Sequence, residues 1–550
     1  NSFCTLLTGP RRAKRATSAP SHQQQQSTRR MRGSGGATRK VLVAAVVAVL
    51  VFAGAASQLG GGNGGTSLRV GNRAETIVEP PRKVQRSPAA MLSRTAGTAA
   101  SAFRFHPLHS NSPQASWREA GGANGKRLEF KSVQELAKAI ADGRDDHGGA
   151  LDGSASTVLG DGFNRLFTIS RRTTNVVVPP AFQDRVKGMF AAYPGGTAKL
   201  DFIEKQTIVT TYNRMTEEYS LFNEVRRYRP GYQERLSADK DAEVNDAIMK
   251  SAGAATCDFC SVERTAEDVF GRVFGQHCYT ASNVAKYEKW HSLLIAKEHH
   301  PLNITRDMMV DYIETAHAWF AQVHRRDPTA RFPHIMFDAG ARASASQPHQ
   351  HLQMSMTANR YFTRAEHTRL AAVDYYEGHY AAGPDGEPAA SGHSYWADLV
   401  SAHEGLGLAL RFNRSAVLSY ITPIKERELV VVTESSHSPC FGALIAAAVN
   451  SLTDGVGTRA FSMAVTLEPY GVPVTRRGRR AANVPYPALA RIVDRGSPLD
   501  QRSDVGAMEF YGANNIGADP YSAVPHLAQR VRAMWAAAAA AGQDPLPPRP

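Results

Sequence analysis

The stretch "SASQPHQHLQM" (344–354) carries two histidines one residue apart, and a glutamine follows two residues further on. Alternate residues of an extended strand share one face. The pattern therefore predicts a strand on which His349, His351 and Gln353 point the same way. Because polar rings are costly to bury unless they bind something, this row is predicted to form a binding or catalytic surface.

A second group of residues, "CDFC", places Cys257 and Cys260 three positions apart. One tight turn can offer both thiolates of such a pair to zinc, although a redox pair or a disulfide can have the same spacing. His299, near the end of "LLIAKEHH", and His349 would complete a Cys2His2 site. A closed four-ligand site leaves no position for substrate, so we expect one structural zinc ion (Zn2+) per chain.

His351 is then free to react, beside a neighbour that the metal holds in place. A neutral imidazole in such a position is a nucleophile. Gln353 can donate a hydrogen bond but cannot give up a proton, so a group displaced from phosphorus must leave without acid help. We therefore expect phosphate or a sugar phosphate as the leaving group. Ser346, its neighbour Gln347 and nearby backbone amides are predicted to hold the non-bridging phosphate oxygens.

Strands and helices in alternation are expected to position these residues. Apolar residues at helical spacing begin the ordered part near 127–143, and "QTIVTTYN" (206–213) alternates as a strand does. The segments that follow are a strand at 290–300, a helix at 306–327 and a strand at 332–340.

A similar order of elements is expected in the second part of the chain. Its predicted segments are a helix at 395–406, two strands within 416–433, a helix at 439–456 and a strand at 459–469. This repetition predicts an α+β fold of two related halves, each with an antiparallel sheet flanked by helices. The expected halves are 126–390, which holds the zinc site and the active-site strand, and 391–535. The end of the chain, "AAAAAAGQDPLPPRP", is expected to be the last part of a helix that runs into a disordered, proline-rich terminus, and 536–550 is assigned to a disordered tail.

The first 125 residues are predicted to serve delivery rather than catalysis. Residues 1–40 are expected to form a basic, disordered tail, and the apolar run 41–57 is typical of a signal anchor or signal peptide. A flexible linker is expected at 58–125. The protein is therefore expected as a single-pass membrane protein, or in the lumen of the secretory pathway or an organelle. A cytoplasmic location is expected if the apolar run comes from an incorrect gene model.

The formal net charge of +14 at first suggests a nucleic-acid partner. Residues 1–40 carry nine Lys and Arg and no acidic residue, and residues 58–125 carry eight basic and three acidic residues. Residues 126–550 are therefore neutral overall, and we expect no nucleic-acid binding by this part of the chain.

Together the motifs resemble the galactose-1-phosphate uridylyltransferase branch of the histidine-triad (HIT) superfamily. The shared order is Cys-x-x-Cys, a strand ending in Glu-His, and then Ser-x-Pro-His-x-His-x-Gln. "SQPHQHLQ" in particular looks like the form in ATP adenylyltransferases, the diadenosine tetraphosphate (Ap4A) phosphorylases. The resemblance covers roughly residues 200–530. It implies a HIT-like fold whose second half is a degenerate copy of the first.

The resemblance also implies roles for individual residues. His351 corresponds to the nucleophile, Gln353 to the glutamine that contacts the transferred phosphate, and Ser346 lies close to that phosphate. In zinc-bearing members the ligands are the cysteine pair, a histidine after the first long strand and the first histidine of the motif. This set agrees with the one inferred above, but at the third position His300 competes with His299.

Two departures from the family pattern concern the phosphate and a second metal. Family members usually carry an asparagine shortly before the motif that helps to hold phosphate, whereas "FDAG" places Asp338 there. A carboxylate repels phosphate unless it is paired, and Arg342 is the partner that we expect. We therefore expect Asp338 and Arg342, together with Ser346 and Gln347, among the residues that bind the substrate or its phosphate. The second half has "FSMAVTLEP" where uridylyltransferases carry another His-x-His, so we expect no second metal.

The sequence thus predicts a nucleotidyltransferase or phosphorylase that acts through a covalent nucleotidyl-histidine with ping-pong kinetics. It would move a nucleoside monophosphate from a nucleotide sugar or dinucleoside polyphosphate to phosphate or a sugar 1-phosphate. Two alternatives are a hydrolase of the same fold and a catalytically inactive, membrane-tethered, nucleotide-binding zinc module. Family members are commonly dimers, which implies a homodimer.

Overall fold

The computed structural model describes most of the chain from residue 130 onwards, and the described residues belong to one compact unit. The described residues are 130–142, 155–191, 193, 199–228, 236–253, 255–378, 393–412, 414–471, 486–500 and 505–540. The predicted tail 1–40, apolar run 41–57 and linker 58–125 lie outside the described residues, and these assignments stay predictions.

Thirteen strands are present among the described residues. They are β1 (Phe167–Asn175), β2 (Lys205–Asn213), β3 (Tyr219–Asn223), β4 (Cys278–Ser282), β5 (His291–Ala296), β6 (Phe332–Ala339), β7 (His351–Thr357), β8 (Ala409–Phe412), β9 (Ser415–Ser419), β10 (Leu429–Thr433), β11 (Phe461–Thr466), β12 (Ala488–Asp494) and β13 (Ala513–Ile516). Nine of them form one antiparallel sheet in the order β4-β5-β7-β6-β11-β12-β10-β9-β8. The two predicted halves meet within this sheet, where β6 pairs with β11.

Eleven helices accompany these strands in the described part of the chain. They are α1 (Val133–Asp142), α2 (Ala155–Leu166), α3 (Pro180–Met189), α4 (Lys199–Glu204), α5 (Ala238–Lys250), α6 (Arg306–Arg326), α7 (Thr363–Tyr376), α8 (Tyr395–Gly405), α9 (Pro439–Asn450), α10 (Ala507–Phe510) and α11 (Val524–Ala540). Short 3-10 turns occur between them, and a π-helical turn at Ser451–Val456 continues α9.

Helices α6, α9 and α11 cover one face of the nine-stranded sheet. Trp319 of α6, Phe441 of α9 and Leu527 of α11 are fully buried in the core between helices and sheet. Gly442 allows α9 to approach α6 closely, because a Cβ atom at this position would lie 2.8 Å from the Cα of Val310. This close packing fixes the sheet from behind, so its opposite face can carry a site.

One helix in the described residues is long and apolar enough to cross a membrane, at Pro439–Val456. It consists of α9 and the π-helical turn that follows, and 78% of it is buried inside the protein. Packing against α6 and the sheet accounts for its apolar sequence.

The opposite face of the sheet is covered at both ends and open in the middle. Over β8 to β10, buried residues pack against α2, α8 and a second sheet of four strands, in the order β1-β2-β3-β13. Over β4 and β5, Phe259 and Val262 of the cysteine segment pack on Tyr279 and Ile295. Between these covers lies a strip of partly exposed side chains from β7, β6 and β11, which are His351, Gln353, Met336, Asp338, Ser462 and Ala464.

The predicted α+β fold of antiparallel strands flanked by helices is confirmed, and strands from both halves are continuous in one sheet. The predicted helix at 306–327 corresponds to α6, which begins after the cap residue Thr305, whose hydroxyl accepts from the N–H of Met308. The two strands expected within 416–433 are β9 and β10. The sequence prediction omits β1, β3, β4, β8, β12, β13 and several helices, among them α7.

Two boundaries differ from the prediction. Strand β7 begins at His351, so His349 lies in a bend before the strand rather than within it. The alternation nevertheless holds, because His349 and His351 both contact the ring of Phe259. Residues 536–540 belong to α11, as expected for the end of a helix, so the disordered tail assigned to 536–550 begins too early. A run of alanines strongly favours helix.

Candidate active site

The four side chains of the predicted metal site lie together just before β7. His299 Nδ1 and His349 Nδ1 are 3.1 Å apart. Cys260 Sγ lies 3.3 Å from His299 Nδ1 and 3.4 Å from His349 Nδ1, and Cys257 Sγ lies 3.5 Å from His349 Nδ1. Neighbouring ligand atoms of a tetrahedral Cys2His2 zinc site are separated by roughly 3.3–3.8 Å. The four donor atoms, all within 4.8 Å of one another, therefore fit a tetrahedral metal ion.

The outer nitrogen of each of these histidines is held by oxygen atoms of neighbouring residues. His349 Nε2 lies 2.8 Å from the carbonyl oxygen of Ala296. His299 Nε2 lies 3.2 Å from the carbonyl oxygen of Ile248 and 3.1 Å from Ser251 Oγ. A carbonyl oxygen only accepts, so Nε2 carries the proton in both rings and Nδ1 keeps its lone pair for a metal. Burial also lowers the pKa of His349 to about 4, which keeps this ring neutral.

The structure distinguishes the two histidines that compete for the third ligand position. His300 Nε2 lies 3.1 Å from Asn245 Oδ1, and His300 Nδ1 accepts the N–H of Leu302 at 3.3 Å. Both ring nitrogens of His300 therefore have partners outside the cysteine cluster. His299 is the histidine that the structure brings to the cysteines.

The predicted nucleophile, His351, has one ring nitrogen directed to its own chain. His351 Nδ1 lies 2.8 Å from the carbonyl oxygen of His349, so Nδ1 donates a proton to that bond and Nε2 carries the lone pair. Burial lowers the pKa of His351, and the nearby carboxylate of Asp338 acts in the opposite direction. The ring is therefore neutral near pH 7 and can attack through Nε2.

Gln353 is oriented by a histidine that the sequence analysis missed. His291, at the start of β5, accepts the N–H of Tyr287 at Nδ1, at 3.4 Å. His291 Nε2 lies 3.1 Å from Gln353 Oε1 and 3.2 Å from Asn283 Nδ2, so the side-chain amides of both residues meet at this nitrogen. With its oxygen at this nitrogen, Gln353 has its amide N–H groups available for a phosphate. Burial lowers the pKa of His291, which keeps it neutral.

Asp338 lies on β6 in the open strip and is bonded to the second half of the chain. Ser462 Oγ donates to Asp338 Oδ1 at 2.6 Å, and Arg495 Nη1 donates to Ser462 Oγ at 2.7 Å. Burial raises the pKa of Asp338, whereas the bond from Ser462 and the charges of Arg495 and His351 lower it. The cation that acts on Asp338 is thus Arg495.

Arg342, the partner expected for Asp338, has other contacts. Its Nε donates to the carbonyl oxygen of Arg495 at 3.1 Å, and its Nη2 lies 3.9 Å from Asp500 Oδ2. Arg342 therefore helps to fix the loop that carries Arg495. Its effect on the site is therefore indirect, through the position of Arg495, and the predicted direct pairing of Arg342 with Asp338 is wrong.

The loop between β6 and β7 holds the remaining predicted phosphate ligands. Ser346 and Gln347 are exposed on this loop, at the border of the open strip. The loop turns sharply at Gly340, with φ of 86°, and at Ser344, with φ of 73°. A non-glycine residue in the left-handed region costs about 1 kcal/mol or more, so Ser344 is a strained position beside the site.

Three residues of this site were absent from the sequence prediction. His291 reaches Gln353 because β5 pairs with β7, and Ser462 reaches Asp338 because β11 pairs with β6. Arg495 follows β12, at the end of the strand that pairs with β11. These three residues could have been identified only from the register in which the strands pair, and the periodicity of one sequence does not specify that register.

No protein-family model matches the chain, and no curated protein matches it. Among solved structures, an ADP-glucose phosphorylase from Arabidopsis thaliana with bound ADP-glucose is similar over 58% of this chain and 99% of its own, with 12% identity and a TM-score of 0.41. A GalT-like protein from Arabidopsis thaliana is 14% identical over 50% of this chain and 91% of its own, with a TM-score of 0.39.

The yeast Ap4A phosphorylase Apa2 is 11% identical over 64% of this chain and 95% of its own, with a TM-score of 0.24. These solved structures are of the same kinds of protein that the sequence motifs resemble.

Proposed function

We propose that the protein is a nucleotidyltransferase or phosphorylase in which His351 becomes covalently nucleotidylated. The observation that carries this proposal is the hydrogen bond from His351 Nδ1 to the carbonyl oxygen of His349. It fixes the tautomer whose Nε2 can attack, in a strip of sheet that is open to a ligand. Among the described residues no hydrogen bond occupies His351 Nε2, and the side chain is partly exposed.

In the proposed first step, the Nε2 lone pair of His351 forms a bond to the α-phosphorus of the donor. The bond from phosphorus to the bridging oxygen breaks, and its electron pair leaves with the departing group. The amide of Gln353 donates to a non-bridging oxygen, and its own oxygen lies against His291. Since Gln353 has no proton to give up, the departing group must be stable as an anion, as phosphates and sugar phosphates are.

A zinc ion, held by Cys257, Cys260, His299 and His349, is proposed to have a structural role. Four protein ligands fill a tetrahedral zinc ion, which leaves no position for substrate. His349 connects this site to the reaction, because its ring is a ligand and its carbonyl oxygen accepts from His351 Nδ1. The metal site therefore orients the nucleophile.

The proposed donor is a nucleotide sugar or a dinucleoside polyphosphate, and the proposed acceptor is phosphate or a sugar 1-phosphate. Phe259, whose ring centroid is 5.1 Å from that of His351, gives an apolar surface beside the attacking nitrogen. Such a surface suits the nucleoside part of a donor. The base and the sugar remain to be identified by experiment.

A product assay separates transfer from hydrolysis. The full chain, purified without chelator, is incubated in turn with UDP-glucose, ADP-glucose, GDP-mannose and Ap4A, with and without inorganic phosphate. We expect one donor to yield a nucleoside diphosphate only when phosphate is present, and His351→Ala to yield none. Release of a nucleoside monophosphate at the same rate without phosphate would instead identify a hydrolase.

A further inference from the structure

Three polar side chains connect the second half of the protein to the nucleophile. Arg495 Nη1 donates to Ser462 Oγ at 2.7 Å. An arginine cannot accept, so the hydroxyl proton of Ser462 is free for Asp338 Oδ1, which it meets at 2.6 Å. This chain of bonds crosses the join between the halves, where Ser462 on β11 is paired with Asp338 on β6.

Strand register places Asp338 beside His351. The β6–β7 ladder pairs Met336 with Gln353, and two further residues along both strands bring Asp338 opposite His351. Both side chains then lie on the same face, at adjacent positions. On the other side of His351, β5 supplies the apolar Ile295.

The chemistry of the proposed transfer gives this carboxylate a role. When His351 Nε2 bonds to phosphorus, Nδ1 keeps its proton because it is bonded to the carbonyl oxygen of His349. The ring therefore becomes positively charged in the intermediate, and a neighbouring negative charge stabilises it. The same negative charge repels the phosphates of the incoming donor, which are anionic before and after the reaction.

We propose that Asp338 acts on the ring of His351 rather than on the phosphate: its carboxylate stabilises the positively charged nucleotidyl-His351, and Ser462 and Arg495 hold that carboxylate in position. This inference rests on the proposed function, because it assumes a covalent intermediate on His351. The role proposed here for Asp338 is electrostatic, and it differs from the phosphate-binding role expected from the sequence. Ser462 and Arg495 are positioning residues supplied by the second half.

The proposal predicts opposite effects of Asp338→Asn on donor binding and on reaction. The amide has nearly the same shape as the carboxylate but no charge. We expect the rate of adduct formation at saturating donor to fall by about tenfold or more, because one charge close to the ring is lost. The donor concentration at half-saturation should stay the same or decrease, since repulsion of the donor is removed.

Two substitutions at Ser462 provide a matched pair. Ser462→Ala removes the hydroxyl that positions Asp338 and should slow adduct formation several-fold. Ser462→Thr keeps the hydroxyl on a residue that suits a strand, and it should restore the wild-type rate. Zinc content and the urea midpoint of unfolding, measured for each variant, show whether a loss of rate comes from a loss of fold.

The measurement is rapid-quench intact-mass analysis of the full chain with the four donors of the product assay. An adduct on the wild type that forms as fast on Asp338→Asn would overturn this inference and leave the proposed function intact. A half-saturating donor concentration that rises in Asp338→Asn, with an unchanged maximal rate, would likewise overturn it, because it would show that Asp338 binds phosphate. Absence of any adduct on the wild type would overturn both proposals.

Discussion

At the residue scale, the contacts of three histidine rings determine what the site can do. His349 holds its proton on Nε2 towards Ala296, His351 holds its proton on Nδ1 towards His349, and His291 Nε2 lies against the side-chain amide of Gln353. The other ring nitrogen, which is Nδ1 in His349 and Nε2 in His351, therefore keeps its lone pair. The site is arranged before any ligand arrives, which is the condition for effective electrostatic stabilisation.

His291→Phe tests whether the orientation of Gln353 matters. Phenylalanine can keep the ring contact that His291 makes with Tyr287, at 3.8 Å between centroids, but it cannot hydrogen-bond to Gln353. One hydrogen bond is worth about 1 kcal/mol, so we expect adduct formation to slow by roughly fivefold. Rapid-quench mass analysis measures the rate. A rate equal to that of the wild type, in protein with normal zinc content, would show that His291 has no part in the reaction.

The residues of this site differ in how well the sequence predicts them. Motif spacing is enough to predict Cys257, Cys260 and His349, because a metal imposes a fixed ligand chemistry. His299 and His300 are adjacent, and only the direction of each ring in the fold separates them. Asp338 is identified by its position before the motif, whereas its actual partner depends on the pairing of two distant strands.

At the scale of the elements, the metal site joins three pieces of chain that the pairing of β5 with β7 and the packing of Phe259 on Ile295 also bring together. The cysteines lie in a segment of 3-10 turns, His299 follows β5, and His349 precedes β7. Short irregular segments bury little apolar surface, so they are held in place largely by specific contacts such as metal ligands. The position of Phe259 beside His351 depends on this arrangement.

Adjacent histidines allow a matched test of the metal site. His299→Ala removes a ligand, so zinc content should fall well below one ion per chain and the unfolding midpoint should decrease. His300→Ala removes only the contacts with Asn245 and Leu302, and zinc content should stay at one. Elemental analysis after dialysis against a weak chelator gives both values. Loss of zinc from the second variant alone would show that the ligands are assigned wrongly.

Long elements with clear periodicity are predicted correctly, and short or exposed ones are not. The apolar face of α6 and the apolar run of α9 identify them directly from the sequence. Strand β1 escapes prediction because most of its residues are exposed, so hydrophobic alternation is weak. Strand β13 has only four residues, and it pairs in parallel with β3, nearly 300 positions earlier in the chain.

At the scale of the whole molecule, one buried arginine links the two sheets. Arg491 on β12 of the large sheet donates to Glu428, at 2.5 Å, and to Glu218, which lies between β2 and β3 of the small sheet. The hydroxyl of Tyr420 also donates to Glu218, at 2.7 Å. Because these charges are buried together, each depends on the others for compensation.

Arg491→Met keeps most of the side-chain volume but leaves the buried Glu428 without its cation. It also leaves the buried Glu218 with only the exposed Arg364, 3.5 Å away. We expect the free energy of unfolding to fall by about 3–5 kcal/mol. Lys240→Met, at the exposed pair that Lys240 forms with Glu243, should change it by at most about 0.5 kcal/mol. Urea unfolding of the full chain measures both values. Equal, small changes in the two variants would mean that the buried network does not hold the sheets together.

The shared sheet also explains why the second half can lack the motif and still matter for function. It contributes no His-x-His pair, but it supplies Ser462 and Arg495 to the site across the join between β6 and β11. From the sequence, the second half is predicted to be a degenerate copy of the first. The contribution of Ser462 and Arg495 is not visible in the sequence, because it depends on pairing between distant strands. The membrane segment at 41–57 and the homodimer stay predictions.

The measurement that tests the central claim most directly is the intact mass of the full, zinc-loaded chain after incubation with UDP-glucose, ADP-glucose, GDP-mannose or Ap4A. The account predicts a gain of one nucleoside monophosphate with at least one donor, no gain in His351→Ala, and release of the adduct when phosphate is added. The size of the gain also identifies the base. No gain with any donor, in protein that holds one zinc ion, would contradict a covalent mechanism on His351.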